Sequence, residues 1–97
     1  MSYADILQAD VRLVILRTLS ELPANRGNSS VLCSILDAKY GHAVTRDKVK
    51  TEFRWLEEQG LVAVEEAGSV LVATLRERGA EVAQGRARVD GVKRPGA

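Results

Sequence analysis

The chain carries one cysteine and one histidine in 97 residues, and these two shortages exclude whole classes of chemistry. With Cys33 alone, no disulfide can close within the chain. Its neighbours Val31, Leu32, Ile35 and Leu36 make it a small buried hydrophobe on a helix. With His42 alone, set in a Gly-His-Ala turn, no zinc site of the usual His/Cys type can be assembled from one chain. No apolar run approaches the ~18 residues that span a bilayer, and no charged-then-apolar leader opens the chain, so a cytoplasmic location is expected. Ser34, Asp37 and His42 are close in sequence, yet there is no Gly-x-Ser-x-Gly elbow and no source of an oxyanion hole. The glycines are scattered stops rather than a phosphate loop. Glu57, Glu58, Glu65 and Glu66 read as a solvated acidic surface, since nothing apolar beside them would raise a pKa. No enzyme, catalytic residue, metal or cofactor is expected.

What is present fits one small globular domain. Ninety-seven residues, 45% hydrophobic and 28% charged, can bury enough apolar surface to fold alone, with little to spare. The net charge of +1 is unevenly placed. Residues 39–54 hold five basic and two acidic side chains, 55–69 hold four acidic and no basic ones, and 70–97 hold six basic and three acidic ones.

The chain is organised around Thr45 to Thr74. Thr45 can cap a helix over about 46–59, stopped by Gly60, and Val49, Phe53 and Leu56 recur at i, i+4 and i+7 on one buried stripe. Asp47, Lys48, Lys50, Thr51, Arg54 and Trp55 lie on the opposite arc. The period then changes to strand, and a hairpin over 61–73 turns at Ala67-Gly68-Ser69. Ahead of this stretch, a first helix over about 2–22 is capped by Ser2, carries Asp5 in its first turn and ends at Pro23. Leu13 and Ile15 widen its apolar zone between Val11 and Leu16 almost all the way round. A helix apolar on several sides needs several covers, and the second cover is either another copy of the chain or the fourth helix.

The run PANRGNSS reads as a loop with Asn28 or Ser29 as the next cap. A second helix covers about 30–39, with Val31, Leu32, Ile35, Leu36 and Ala38 facing the core and Gly41 as its stop. Ala43-Val44 can add a short strand beside the hairpin. A fourth helix over about 75–88 starts at a Thr74 cap and is weakened by Gly79 and Gly85. The domain therefore spans 1–89, and 90–97 is expected to be a flexible basic tail.

Leu56 to Val62, the hairpin and Thr74 to Gly79 together resemble the recognition helix, wing and following helix start of winged helix-turn-helix regulators of the multiple-antibiotic-resistance and arsenic-repressor kinds. More narrowly, Arg12 to Arg17, Gly41 to Asp47, the third helix and the ending Gly91 to Pro95 resemble small proteins of Mu-like transposable phages and prophages. The resemblance implies a mainly α winged helix-turn-helix with about four helices and a two- to three-stranded antiparallel sheet, working in the bacterial host cytoplasm. It implies double-stranded DNA as partner and regulation or DNA handling as role.

In helix-turn-helix proteins the first, second, fifth, sixth and ninth positions of the second helix reach base edges and phosphates. Here these are Arg46, Asp47, Lys50, Thr51 and Arg54. Two features point elsewhere. The wing reads Glu65-Glu66, which phosphates repel, and Trp55 on the outer arc suits a protein contact unless it packs over the second helix or the hairpin. The alternative is therefore a protein-binding adaptor in phage assembly that uses Trp55, Glu65 and Glu66. A homodimer through the first helix is expected, which would let two winged helices reach successive major-groove turns; a strict monomer would leave a single weak DNA contact or the adaptor.

Overall fold

The computed structural model describes residues 2–96; Met1 and Ala97, at the outer ends of the expected domain and tail, lie outside the described residues. α1 spans Tyr3–Glu21. Ser2 closes its first turn in both directions: the hydroxyl accepts from the Asp5 amide at 3.1 Å, and the Asp5 carboxylate accepts from the Ser2 amide at 3.4 Å. A single 3₁₀ turn, Pro23–Asn25, then leads into β1, Arg26–Asn28. α2 runs over Ser29–Tyr40, capped by the Asn28 side chain and stopped at Gly41. α3 covers Arg46–Glu58, with the Thr45 hydroxyl accepting from the Lys48 amide at 3.0 Å. β2, Val62–Ala67, and β3, Val70–Leu75, precede α4, Glu77–Ala83.

The three strands form an antiparallel sheet in the order β1-β3-β2. β2 and β3 are joined by the two residues Gly68-Ser69, and only Gly68 needs a positive φ, 61°. That requirement suits the tight turns that match the twist of a hairpin. β1 ends opposite Val72, and beyond it the buried Ser29 hydroxyl accepts from the Leu71 amide at 3.1 Å. The start of α2 is thereby tied to the central strand. The molecule is mainly helical with one small sheet, in a winged-helix-like order of elements.

Phe53, Leu56 and Val49 of α3 meet Leu13, Ile15, Leu16 and Leu19 of α1, Leu32 and Leu36 of α2 and Leu61 in one core. Every residue from Val11 to Leu16 is buried within this chain. The wide apolar zone of α1 is thus covered on all sides by the chain itself and presents nothing to a second copy. α4, packed against α1, supplies part of that cover.

Four sequence expectations need correction. The third strand is Arg26–Asn28, inside the segment read as a loop, and not Ala43-Val44: three residues of a Gly/Asn-rich run carry too little periodicity to register as strand. α4 starts later and is shorter, because Thr74 and Leu75 still pair in β3 and the cap position falls to Arg76, whose amide donates to the Leu61 carbonyl at 3.0 Å. On α2, Val31 and Ala38 face solvent while Leu32 and Leu36 enter the core, so the buried stripe is narrower than expected.

The fourth correction concerns the segment after α4, which is laid along α1 as a strap. Val92 is 8% exposed, the Lys93 amide donates to the Ala9 carbonyl at 3.1 Å, and the Arg12 guanidinium donates to the Gly91 carbonyl at 3.1 Å. A single valine among polar residues is a weak hydrophobic signal, yet it suffices where a groove is ready for it.

Candidate nucleic-acid interface

The capping of α3 by Thr45 fixes which side chains its first two turns send outward. Val49, Glu52, Phe53 and Leu56 are buried, whereas Arg46, Asp47, Thr51 and Arg54 are exposed and Lys50 is half-buried. The five predicted contact residues therefore share the solvent side of one helix. Lys50, Thr51 and Arg54 also form one wall of a groove of about 450 Å³, whose other wall is Glu66, Gly68 and Ser69 of the wing. The Thr51 hydroxyl donates to the Asp47 carbonyl at 3.1 Å, which leaves its lone pairs outward as acceptors.

Charge pairing divides the cations into two sets. Lys48 is 3.2 Å from Glu52, and Arg54 lies 3.1 Å from Glu57 and 3.7 Å from Glu66. Arg46 and Lys50 enter no ion pair among the described residues. Glu65 pairs with Arg26 at 2.6 Å across the sheet. The wing carboxylates are thus partly neutralised by the chain itself. Glu57 has a further role: its second oxygen accepts from the Val64 amide at 3.1 Å, so one carboxylate joins the helix, the wing and Arg54.

Trp55 is not on an open face. The Arg12 guanidinium lies 3.7 Å over its ring, and Gly91 of the strap sits against the ring edge, so the side chain is half-buried between α1 and the strap. The outward direction read from helical spacing was right, but the strap occupies that side of α3.

The sequence reading missed Glu52. This carboxylate is fully buried, takes a hydrogen bond from Arg12 Nε at 2.7 Å and one from Gln8 Nε2 at 2.8 Å, and is joined by Lys48. Burial raises its pKa, but the Arg12 and Gln8 hydrogen bonds, the Arg12 charge and Lys48 outweigh that effect and hold the carboxyl below its ordinary value. A signal for it existed: Glu52 follows Val49 by three residues and so shares the buried side of the helix. Asp10 was missed as well. It meets His42 Nε2 at 2.7 Å and Lys93 Nζ at 3.6 Å, joining the α2–α3 turn and the strap across α1.

No family model matches the chain, and no solved structure matches it. Among the described residues, no helix is long and apolar enough to cross a membrane. Two proteins are similar along most of their length. One, named "Uncharacterized protein gp26", is from Escherichia phage Mu; it is 55% identical over 91 residues, which is 94% of this chain and 93% of that protein. An "Uncharacterized protein" of Haemophilus influenzae is 42% identical over 79 residues, covering 80% of this chain and 76% of its own. With identity of that level over nearly the full length, the chain belongs to the family of the phage Mu protein gp26.

Proposed function

We propose that the protein is a non-catalytic phage or prophage DNA-binding protein, a transcription regulator or DNA-handling accessory that places α3 in the major groove of double-stranded DNA. The observation that carries this is the outer side of α3. Arg46, Lys50, Thr51 and Arg54 lie on the outer side beside a wing whose turn forms the opposite wall of the same groove, while Val49, Phe53 and Leu56 of the helix face the core. Arginine and lysine at these positions can take guanine edges or phosphates, threonine can take either partner, and the helix N-terminus favours a phosphate. Asp47 suits an amino donor such as that of cytosine.

Less favours the adaptor alternative, because Trp55 is half-covered by Arg12 and Gly91, and the exposed Glu65 and Glu66 each lie beside an arginine. A mobility-shift titration against random and phage-derived duplexes at two salt concentrations tests the DNA reading. Binding is expected at low salt, weakening as salt rises because phosphate contacts release counterions. No shift at low salt would end the proposal, since even sequence-blind attachment is strongest there.

A further inference from the structure

α1 enters the globule at Asp10, where His42 holds it from one side and Lys93 from the other. Ahead of that point every residue from Ser2 to Leu7 is exposed. Three large apolar side chains lie on this overhanging stretch: Tyr3 at 86%, Ile6 at 49% and Leu7 at 53% exposure. The i, i+3, i+4 spacing gathers them into one ridge that points away from the core. Among the described residues Val31 is the only other large hydrophobe so exposed.

The ridge is flanked by two grooves. On the Ile6 side, α1 and strap residues 88–94 enclose about 540 Å³, with mostly apolar walls that include Ala9, Val89 and Val92. On the Leu7 side, α1 and the α2–α3 turn enclose about 420 Å³, lined by Val11, Ala43 and Val44. One patch therefore carries both a protrusion and the concave surfaces to receive it. A two-fold contact requires that combination, since the same patch must serve both partners.

We propose that this patch is the contact between two copies of the chain, each laying its Tyr3-Ile6-Leu7 ridge into a groove of the other. Charge supports a second copy as the occupant. Asp5 lines the Ile6-side groove from α1, and Arg88, Asp90, Lys93 and Arg94 line it from the strap, a net positive wall in which Arg88 and Arg94 have no carboxylate partner within ion-pair distance among the described residues. The proposed pair would set the Asp5 of one copy against the arginines of the other. The contact lies about one to two turns of helix before the Val11–Leu16 zone, which the chain covers by itself. It goes beyond the DNA reading and stands without it.

Sedimentation of the full chain from about 1 to about 200 µM tests the proposal, a range that spans the affinities of ordinary specific dimers. The wild type is expected to dimerise. Leu7→Glu and, separately, Ile6→Glu are expected to raise the dissociation constant by about 10–100-fold, because each places an unpaired carboxylate in an apolar contact. Both side chains are half exposed in the single chain, so circular dichroism and the melting temperature at low concentration should stay unchanged. Arg88→Glu combined with Arg94→Glu is expected to weaken the dimer by about tenfold or more. A wild type that stays monomeric throughout overturns the proposal, even if the ridge then proves to bind a different phage protein. A dissociation constant within twofold of wild type for both ridge variants overturns it too. Titrating the monomeric Leu7→Glu chain with duplex DNA at low salt keeps the two readings apart: a shift supports α3 as the DNA surface whatever the ridge does.

Discussion

The Arg12 guanidinium is shared between Trp55, whose ring it covers at 3.7 Å, and the Glu52 carboxylate, which it meets at 2.7 Å. Both partners belong to α3, three residues apart and so neighbours on one side of the helix, and a single residue of α1 thereby fixes the roll of the helix proposed to read DNA. The same guanidinium holds the Gly91 carbonyl, which brings the strap into the arrangement. The pose of α3 is therefore set by buried polar contacts as well as by its apolar stripe. A charge buried this deeply is tolerated only while its partners remain in place.

Gly91 is the position at which the strap should be easiest to open. Its φ is +96°, and a Cβ there would come within 3.0 Å of the Trp55 ring. Gly91→Ala therefore combines a strained backbone with a clash, for a cost of about 1–3 kcal/mol. Trp55 is the chain's single tryptophan, so its fluorescence reports on this site directly. The variant should show red-shifted emission and greater quenching by iodide. Emission identical to wild type would mean that the strap does not shield the ring.

The Glu52 site should make stability depend on acid. Its folded pKa lies below the ordinary 4.5, so the unfolded chain binds the proton more readily. The stabilisation is fully present above about the ordinary value and is lost as pH falls through the lower folded value. Glu52→Ala should cost about 3–5 kcal/mol because it leaves Arg12 buried without its partner. Arg12→Met combined with Glu52→Leu should recover most of that loss and flatten the acid dependence. Urea unfolding at pH 3 and pH 6 for the three chains checks the sign. An Ala variant as stable as wild type would contradict the buried pairing.

Gly79 permits the close approach of α4 to Leu61 in the connection between α3 and β2. A Cβ at this buried position would run into the Leu61 carbonyl oxygen and press on Leu75. Alanine normally favours a helix over glycine by up to about 1 kcal/mol, so a local view predicts that Gly79→Ala stabilises α4. Packing wins here, and the expected change is a loss of about 2–4 kcal/mol. Thermal unfolding distinguishes the two signs.

These residues show where a sequence is legible and where it is not. Capped amphipathic helices and a Val-rich hairpin announce themselves through periods of 3.6 and 2, so α1, α2, α3 and the wing fall within one or two residues of expectation. The outward set Arg46, Asp47, Lys50, Thr51 and Arg54 follows from the same period. Features with no period were missed. β1 is three residues long, the strap buries only Val92 fully, and the cover over Trp55 includes a glycine 36 positions further along the chain. Glu52 lay on the buried side by spacing, but charge alone suggested solvent; its burial depends on Arg12 and Gln8, forty residues and more away in sequence.

If α3 is the DNA surface proposed above, the wing carboxylates restrain binding by a route more specific than general repulsion. Arg54 is held between Glu57 and Glu66 at the mouth of the groove formed by α3 and the wing, so a phosphate must compete with carboxylates for the same guanidinium. Exposed pairs of this kind are worth about 0–1 kcal/mol, so the restraint is modest. Glu66→Gln should tighten low-salt duplex binding by about two- to fivefold and steepen the salt dependence by up to about 0.9 in the log–log slope if one phosphate contact is gained. Arg54→Ala should weaken binding and reduce that slope by a similar amount, while Lys50→Ala, whose cation has no carboxylate partner to give up, should weaken it at least as much. The pair is diagnostic. If Glu66 acts through Arg54, Glu66→Gln in the Arg54→Ala background should gain almost nothing; if it acts by repulsion across the whole groove, the gain should persist undiminished. Mobility-shift titrations of the four chains at two salt concentrations measure the coupling. Additive effects would assign the wing charge to general repulsion and leave Arg54 free to read the groove independently.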